Sequence, residues 1–289
     1  MVKQAIVIFK WAGRIGAAVV AGVISGCSPL AVLNQLGSDA AYTVIENVSY
    51  GSDVRQALDI YIPKQAPSGK VVVFFYGGSW SSGERGDYRF VAQSLTAHGI
   101  VVVIADYRLY PDVRFPAFVE DAAAAVGWTF RHIARYQGDP AKIYLIGHSA
   151  GGHIVSLLAL DSRYLATQSL RSSLLAGVIG LSSPTDFAAT LGARYRPIFT
   201  DDAQLETAQP VRYARADAAP MLLLHGADDA LVLPRNSETL ARRIQQTGGE
   251  ARAIIYPDIG HPGTVLAFSP LWGQSPLLAE MLRFMDVAP

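Results

Sequence analysis

Ser149 stands in Gly147-His-Ser149-Ala-Gly151, after the mostly apolar residues Ile143 to Ile146 and before an apolar run that opens at Ile154. A Gly-x-Ser-x-Gly in that setting reads as a strand, a sharp turn and a helix. The glycines let the backbone pass through a tight turn, which lifts the Ser149 hydroxyl to the tip of a sheet above the first helical turn. A helix N-terminus there favours developing negative charge. A serine hydroxyl attacks a carbonyl only when a base takes its proton and a carboxylate orients that base.

In a strand–turn–helix site of this kind the chain order is Ser, acid, His. Three histidines follow Ser149. His153, one turn into the helix, reads as a packed residue. His225 closes the run Met221 to Leu224 and reads as a strand-end residue that bonds locally. His261, in Pro257-Asp-Ile-Gly-His261-Pro262, follows a strand over 251–256, where open α/β sheets build their sites. It is the expected base. The acid belongs on the loop after the preceding strand, Leu224-His-Gly-Ala-Asp228-Asp229. Asp229 is the expected carboxylate, with Asp228 solvated or capping. Asp258, close before His261, is the alternative, although so near a neighbour points away. An oxyanion needs backbone N–H donors. Ala150 supplies one, and Gly78 and Ser79 of the loop Phe75-Tyr76-Gly77-Gly78-Ser79-Trp80 supply the others, to within a residue of register.

These residues need a sheet to position them. Val44 to Tyr50 and Gln56 to Ile62 read as a strand pair around Gly51-Ser52-Asp53. Lys70 to Tyr76 and Ile100 to Ala105 are continuous apolar runs, the pattern of strands buried on both faces of a parallel sheet. Further strands fall at Leu174 to Leu181, Pro220 to His225 and Ala251 to Tyr256. Helices alternate with them at 88–99, 116–136, after Ser149, 234–247 and 276–287. The class is α/β, a mostly parallel central sheet with helices on both faces. Glu120 and Asp121 near the start of the 116–136 helix, and Arg131, His132 and Arg135 near its end, suit the helix dipole. Residues 185–215 are irregular, and a cap over the site and a plain surface connection are equally open readings.

The chain of 289 residues suits one large domain, and 51% hydrophobic against 17% charged residues excludes disorder. A formal net charge of zero gives no basic field for nucleic acid. Lys3, Lys10 and Arg14, then the apolar stretch Ile15 to Ser25, read as a signal peptide over 1–26. Ile24-Ser25-Gly26-Cys27 resembles a bacterial lipobox, in which Cys27, the single cysteine, is acylated. Residues 27–43 read as a tether and 44–289 as the catalytic domain. Ser28 after the cysteine suits outer-membrane sorting, so the expected location is the bacterial cell envelope.

Tyr76-Gly-Gly-Ser-Trp80, Asp106-Tyr-Arg-Leu-Tyr-Pro111, Phe115-Pro116 to Glu120-Asp121, Gly147 to Gly151, His225-Gly-Ala-Asp-Asp229 and Gly260-His261 occur in that order. Together, from about residue 44 onward, they resemble the α/β-hydrolase esterases of the hormone-sensitive-lipase and feruloyl-esterase-like (BD-FAE) type. Bacterial arylformamidases share much of the pattern. The resemblance implies Ser149 as nucleophile, Asp229 and His261 as its relay, and ester hydrolysis of a small molecule with no cofactor and no metal. Asp106, Arg108, Glu120 and Asp121 are expected to hold the loops through charge pairs. One departure stands out: the family usually has His where this chain has Tyr76. Two other readings are carried beside the esterase, an amidase of arylformamidase type and a non-catalytic, envelope-anchored binding scaffold.

Overall fold

The computed structural model describes residues 29–37, 39–273 and 275–287. The expected signal peptide over 1–26 and Cys27 lie outside the described residues. Two strands, β1 (Tyr42–Ser49) and β2 (Ala57–Pro63), form the expected antiparallel pair. Asn47, with φ 60°, sits at the bulge in β1, and its N–H donates to Asp59 Oδ1 at 2.8 Å.

The apolar runs become β3 (Val71–Phe75), β4 (Val101–Ala105), β5 (Ile143–His148), β6 (Gly177–Leu181) and β7 (Met221–Gly226), each buried along its whole length. A strand buried at every residue has both faces covered. β8 (Ala251–Tyr256) closes an eight-stranded sheet of order β1-β2-β4-β3-β5-β6-β7-β8. The pairs β1–β2 and β2–β4 are antiparallel and the others parallel.

This order sets the position of the site. From β3 the chain leaves through a helix at Arg89–Thr96 to β4 on one side. It returns through a helix at Ala117–His132 to β5 on the other side of β3. The loops after β3 and β5 therefore leave in opposite directions, and a crevice opens at the carboxyl ends of those strands.

The segment expected as a tether is partly a docked helix. Helix α1 (Pro29–Leu36) buries Leu33, and Asn34 donates to Gly86 O at 2.8 Å while accepting from the Phe90 N–H at 3.0 Å. Proline at the first helical position forfeits no intrahelical bond, and Leu30 and Leu33 share a face. β1 then begins at Tyr42, two residues ahead of the expected start. The helices after α1 are α2 (Arg89–Thr96), α3 (Ala117–His132), α4 (Ala150–Leu160), α5 (Ser162–Ala166), α6 (Asp202–Thr207), α7 (Arg235–Gln246), α8 (Gly263–Leu266) and α9 (Pro276–Phe284). Among the described residues no helix is long and apolar enough to cross a membrane.

Candidate active site

Ser149 occupies the turn between β5 and α4 with φ 54° and ψ −118°, a conformation that costs a non-glycine residue energy and that its surroundings must enforce. Its N–H donates to Leu181 O at 2.8 Å, which ties the turn to β6. The flanking glycines are required by close approach. A Cβ on Gly147 would lie 2.2 Å from Gly151 O, and one on Gly151 would lie 2.0 Å from Phe75 O. Neither backbone oxygen can move aside, so the helix could not seat against the end of β3 with any larger residue.

The relay is assembled. Ser149 Oγ lies 2.8 Å from His261 Nε2, and His261 Nδ1 lies 2.8 Å from Asp229 Oδ2. A carboxylate only accepts, so Nδ1 carries the proton and Nε2 accepts from the serine hydroxyl. The sheet brings these loops together. β7 and β8 run in register to Gly226 opposite Tyr256, and beyond them Ala227 N–H donates to Tyr256 O at 2.8 Å and Asp228 N–H to Ile259 O at 3.0 Å. Asp228 and Asp258 are exposed, and among the described residues neither hydrogen-bonds the His261 ring. Burial pushes the Asp229 carboxyl upward, but hydrogen bonds from His225, His261 and the Val232 N–H outweigh it and hold the group well below the usual carboxylate range.

Of the three expected oxyanion donors, Ser79 and Ala150 border the same cavity as Ser149, and Gly78 is next to Ser79 in the loop. Ala150 is the first residue of α4, so its N–H has no partner within the helix. Gly78, Ser79 and Trp80 all have positive φ, at 127°, 54° and 56°, which turns this loop sharply inward. A Cβ on Gly77 would stand 3.0 Å from Ser149 Cβ, a measure of how near the loop comes. Among the described residues, none of the Gly78, Ser79 and Ala150 N–H groups donates a hydrogen bond. Ser79 and Ala150 line a cavity of about 200 Å³ that opens on Ser149.

The loop is held from behind by Tyr76 and by the expected charge pairs of Asp106 and of Arg108 with Asp121, joined by Arg55, Asp59 and Arg85, which the sequence reading does not name. Tyr76, where the family usually has His, is fully buried between Tyr107 and Tyr88, with ring centroids at 4.9 and 5.3 Å. Its hydroxyl donates to Asp106 Oδ1 at 2.6 Å and accepts from Arg55 Nη2 at 2.8 Å. Burial pushes the phenol well up, so it stays protonated and a donor. Asp106 also pairs with Arg85, which reaches Asp59 at 2.8 Å. Arg108 donates to Asp121 through its main-chain N–H and its guanidinium. Asp121 is thus buried against Arg108 and Gln56 and is not a solvent-facing dipole partner. Glu120, expected in the same charge pairs, is exposed and enters no ion pair among the described residues.

Residues 185–215 are a cap. Phe187, Leu191 and Tyr195 line the cavity opposite Ala230 to Leu233. Asn236 Oδ1 accepts from the Thr185 and Asp186 N–H groups at 2.9 and 2.8 Å, and Gln209 Oε1 accepts from Phe187 N–H at 2.7 Å. His153 fastens the cap to the nucleophile helix. Its Nε2–H donates to Ala208 O at 2.7 Å, and its Nδ1 accepts from Trp80 Nε1–H at 3.2 Å. Burial lowers His153 to about 4, so it is neutral in these roles. Trp80 walls the cavity, and Phe199 packs behind it. His148, lowered to about 3 by burial and by the neighbouring His261, lies 3.1 Å from His261 O, donating through Nε2–H. Among the described residues no group of three or more His, Cys, Asp or Glu side chains is arranged to hold a metal ion.

A family model described as BD-FAE matches residues 58–244, which span both Ser149 and Asp229. The chain belongs to the BD-FAE family. A probable isoprenylcysteine alpha-carbonyl methylesterase of Arabidopsis thaliana is 30% identical over 241 residues, 75% of this chain and 51% of that protein. Esterase LipC of Mycobacterium tuberculosis is 27% identical over 241 residues, 76% of this chain and 60% of that protein. The chain spans between 51% and 62% of the length of the first curated relatives it matches. Esterase B from Lactobacillus rhamnosis has the same fold, with a TM-score of 0.77 at 20% identity over 99% of this chain and 96% of that one. The chain thus has the α/β-hydrolase fold of known esterases.

Proposed function

We propose that the protein is a serine carboxylic ester hydrolase working through an acyl-enzyme. The observation that carries this is the unbroken sequence of contacts Ser149 Oγ, His261 Nε2, His261 Nδ1, Asp229 Oδ2, two hydrogen bonds of 2.8 Å that end on a strained serine facing a cavity. Ser149 Oγ attacks the ester carbonyl as His261 Nε2 takes its proton. Asp229 stabilises the imidazolium, and the N–H groups of Ser79 and Ala150, with Gly78 beside them, receive the oxyanion. The C–O bond breaks, and His261 returns the proton to the departing alcohol. Water then attacks the acyl-serine by the same route, restoring the hydroxyl. The cavity lining contains no charged side chain, which favours an ester uncharged near its carbonyl, because an unpaired charge is costly to bury. The esterase names of the relatives support this reaction class.

The test is labelling and turnover together. A fluorophosphonate should label Ser149 alone, and p-nitrophenyl esters from acetate to decanoate should be hydrolysed faster than p-nitroanilides of equal acyl length. Folded protein that neither labels nor turns over would remove the esterase reading. The lipobox pattern at 24–27 supports a second, separate part of the proposal, that Cys27 carries an acyl anchor and the enzyme works in the bacterial cell envelope. Radiolabelled palmitate incorporated by the wild type but not by Cys27→Ser is the expected result. Equal labelling of both would overturn it.

A further inference from the structure

His225 was expected to be a local strand-end residue, but it reaches the acid of the relay. It is the penultimate residue of β7, is fully buried, and its Nε2 lies 3.2 Å from Asp229 Oδ2 and 2.8 Å from Val232 O. Both partners only accept, so Nε2 must carry hydrogen and share it between them. Nδ1, 2.7 Å from Ser237 Oγ on α7, then accepts from that hydroxyl. Ser237 has no exposure either, so this tautomer is fixed by two buried side chains, Asp229 and Ser237, and by the Val232 carbonyl. The oxygen that His225 touches is the one that receives His261 Nδ1–H at 2.8 Å. The other carboxylate oxygen, Oδ1, takes the N–H groups of Val232 and Leu231 at 2.8 and 3.1 Å.

We propose that His225 is a positioning residue of the relay: its Nε2–H anchors Asp229 Oδ2, withdraws part of the carboxylate's charge from His261, and thereby sets the acid limit of hydrolysis. The physical argument is competition for one oxygen. A carboxylate that already receives a hydrogen bond offers less charge to the next donor. With His225 in place, the His261 imidazolium formed during attack is less stabilised, and His261 gives up its proton to the leaving alcohol more readily. Without it, Oδ2 serves His261 alone and holds the protonated form more tightly. The titratable groups facing this cluster are few. They are Asp229 and His225 from the end of β7, His148 from the end of β5, and His261 itself. Asp228 and Asp258 on the adjoining loops, and Arg235 and Glu238 on α7, are exposed.

The inference rests on the esterase reading, and its experiment separates the two. The acid limb of the kcat/KM profile for a p-nitrophenyl ester is measured for wild type, His225→Leu and His225→Gln. Leucine removes the donor, whereas the glutamine amide offers one near the Nε2 position. The limb of His225→Leu should move up by about half a pH unit or more, and that of His225→Gln should return toward wild type. A limb unmoved in His225→Leu, or equally displaced in His225→Gln, would overturn the proposal and leave His225 as packing. If His225→Leu does not fold, nitrogen NMR of the wild-type ring decides. Neutral, Nε2-protonated imidazole at assay pH is required, and the Nδ1-protonated form would overturn it. Turnover that survives Ser149→Ala would undo the esterase reading instead; Ser149-dependent turnover with an unmoved limb would undo only the role of His225.

Discussion

The two sides of Ser149 are built by different means. On the Asp229 side, three loops from β5, β7 and β8 present side chains that bond directly to one another. His261 is held by a carboxylate that itself has four donors, two of them imidazoles. On the Ser79 side, the proposed working groups are backbone N–H donors on a loop with three successive positive φ angles, and the charge pairs that brace it lie behind it. One side is specified by hydrogen bonds among the reacting groups. The other is specified by packing and charge pairs at one remove, with Tyr76, Asp106, Arg55 and Arg85 bracing a strained backbone. The difference teaches where damage should appear. Substitution on the Asp229 side should change the chemistry of folded protein, and substitution behind the Ser79 loop should appear first as lost stability.

The largest expected effect tests the first half. Asp229→Asn keeps shape but leaves an amide facing two imidazole N–H groups, so His261 is driven toward the wrong tautomer. kcat/KM for an activated ester should fall by about 10⁴-fold while the melting curve stays near wild type. A tenfold loss or less would show that Asp229 is not the orienting carboxylate. Gly151→Ala acts where the two sides meet. Its Cβ would lie 2.0 Å from Phe75 O, and the helix would have to pull away from β3. A loss of about 4 kcal/mol or more in urea unfolding, or no folded protein, is expected. Wild-type stability would contradict the close approach.

Acid should act through the buried histidines. Burial lowers His148 to about 3 and His153 to about 4, so each is uncharged when folded but takes a proton in the unfolded chain below about 6.5. Their contribution is therefore complete above about 6.5 and is lost as pH falls toward the folded values. Each costs about 1.4 kcal/mol per pH unit within that window. Stability should drop between pH 7 and pH 5, and His153→Phe should show a shallower acid loss. An equal slope would mean that His153 is not held neutral. Tyr76→Phe is the smallest change. It keeps both ring stacks but removes the hydroxyl shared by Arg55 and Asp106. The expected cost is about 1–3 kcal/mol of stability, with kcat/KM of the folded fraction within about tenfold. A large rate loss without a stability loss would reverse the distinction drawn between the two sides.

The same contrast explains what could be read in the sequence. Ser149, Asp229 and His261 each follow a strand, and the order and spacing of strands are written in apolar runs. Sheet register then brings the three loops together without further information. The alternation of elements was legible for the same reason, and so was the Gly-Gly loop after β3. The braces behind that loop were legible only in part. Asp106 is legible as a charge-pairing residue, but its partners Arg55 and Arg85, and Asp59 beyond them, lie on separate segments that only the antiparallel β1–β2–β4 edge makes neighbours. The sequence leaves the cap open beside a plain surface connection, because its shape is fixed by single amide side chains, Asn236 and Gln209, with no periodic signature. His225 was placed at its strand end correctly, but the strand pattern carries no sign of which oxygen its ring would reach. Helix α1 was missed because a short apolar segment looks the same in the sequence whether docked or not.

The central claim is that Ser149 is the nucleophile, and the most direct measurement is p-nitrophenyl ester hydrolysis by Ser149→Ala beside the wild type, with both shown to be folded by their melting curves. The account predicts a loss of about 10⁴-fold or more in kcat at unchanged stability. Hydrolysis by Ser149→Ala at the wild-type rate would contradict it.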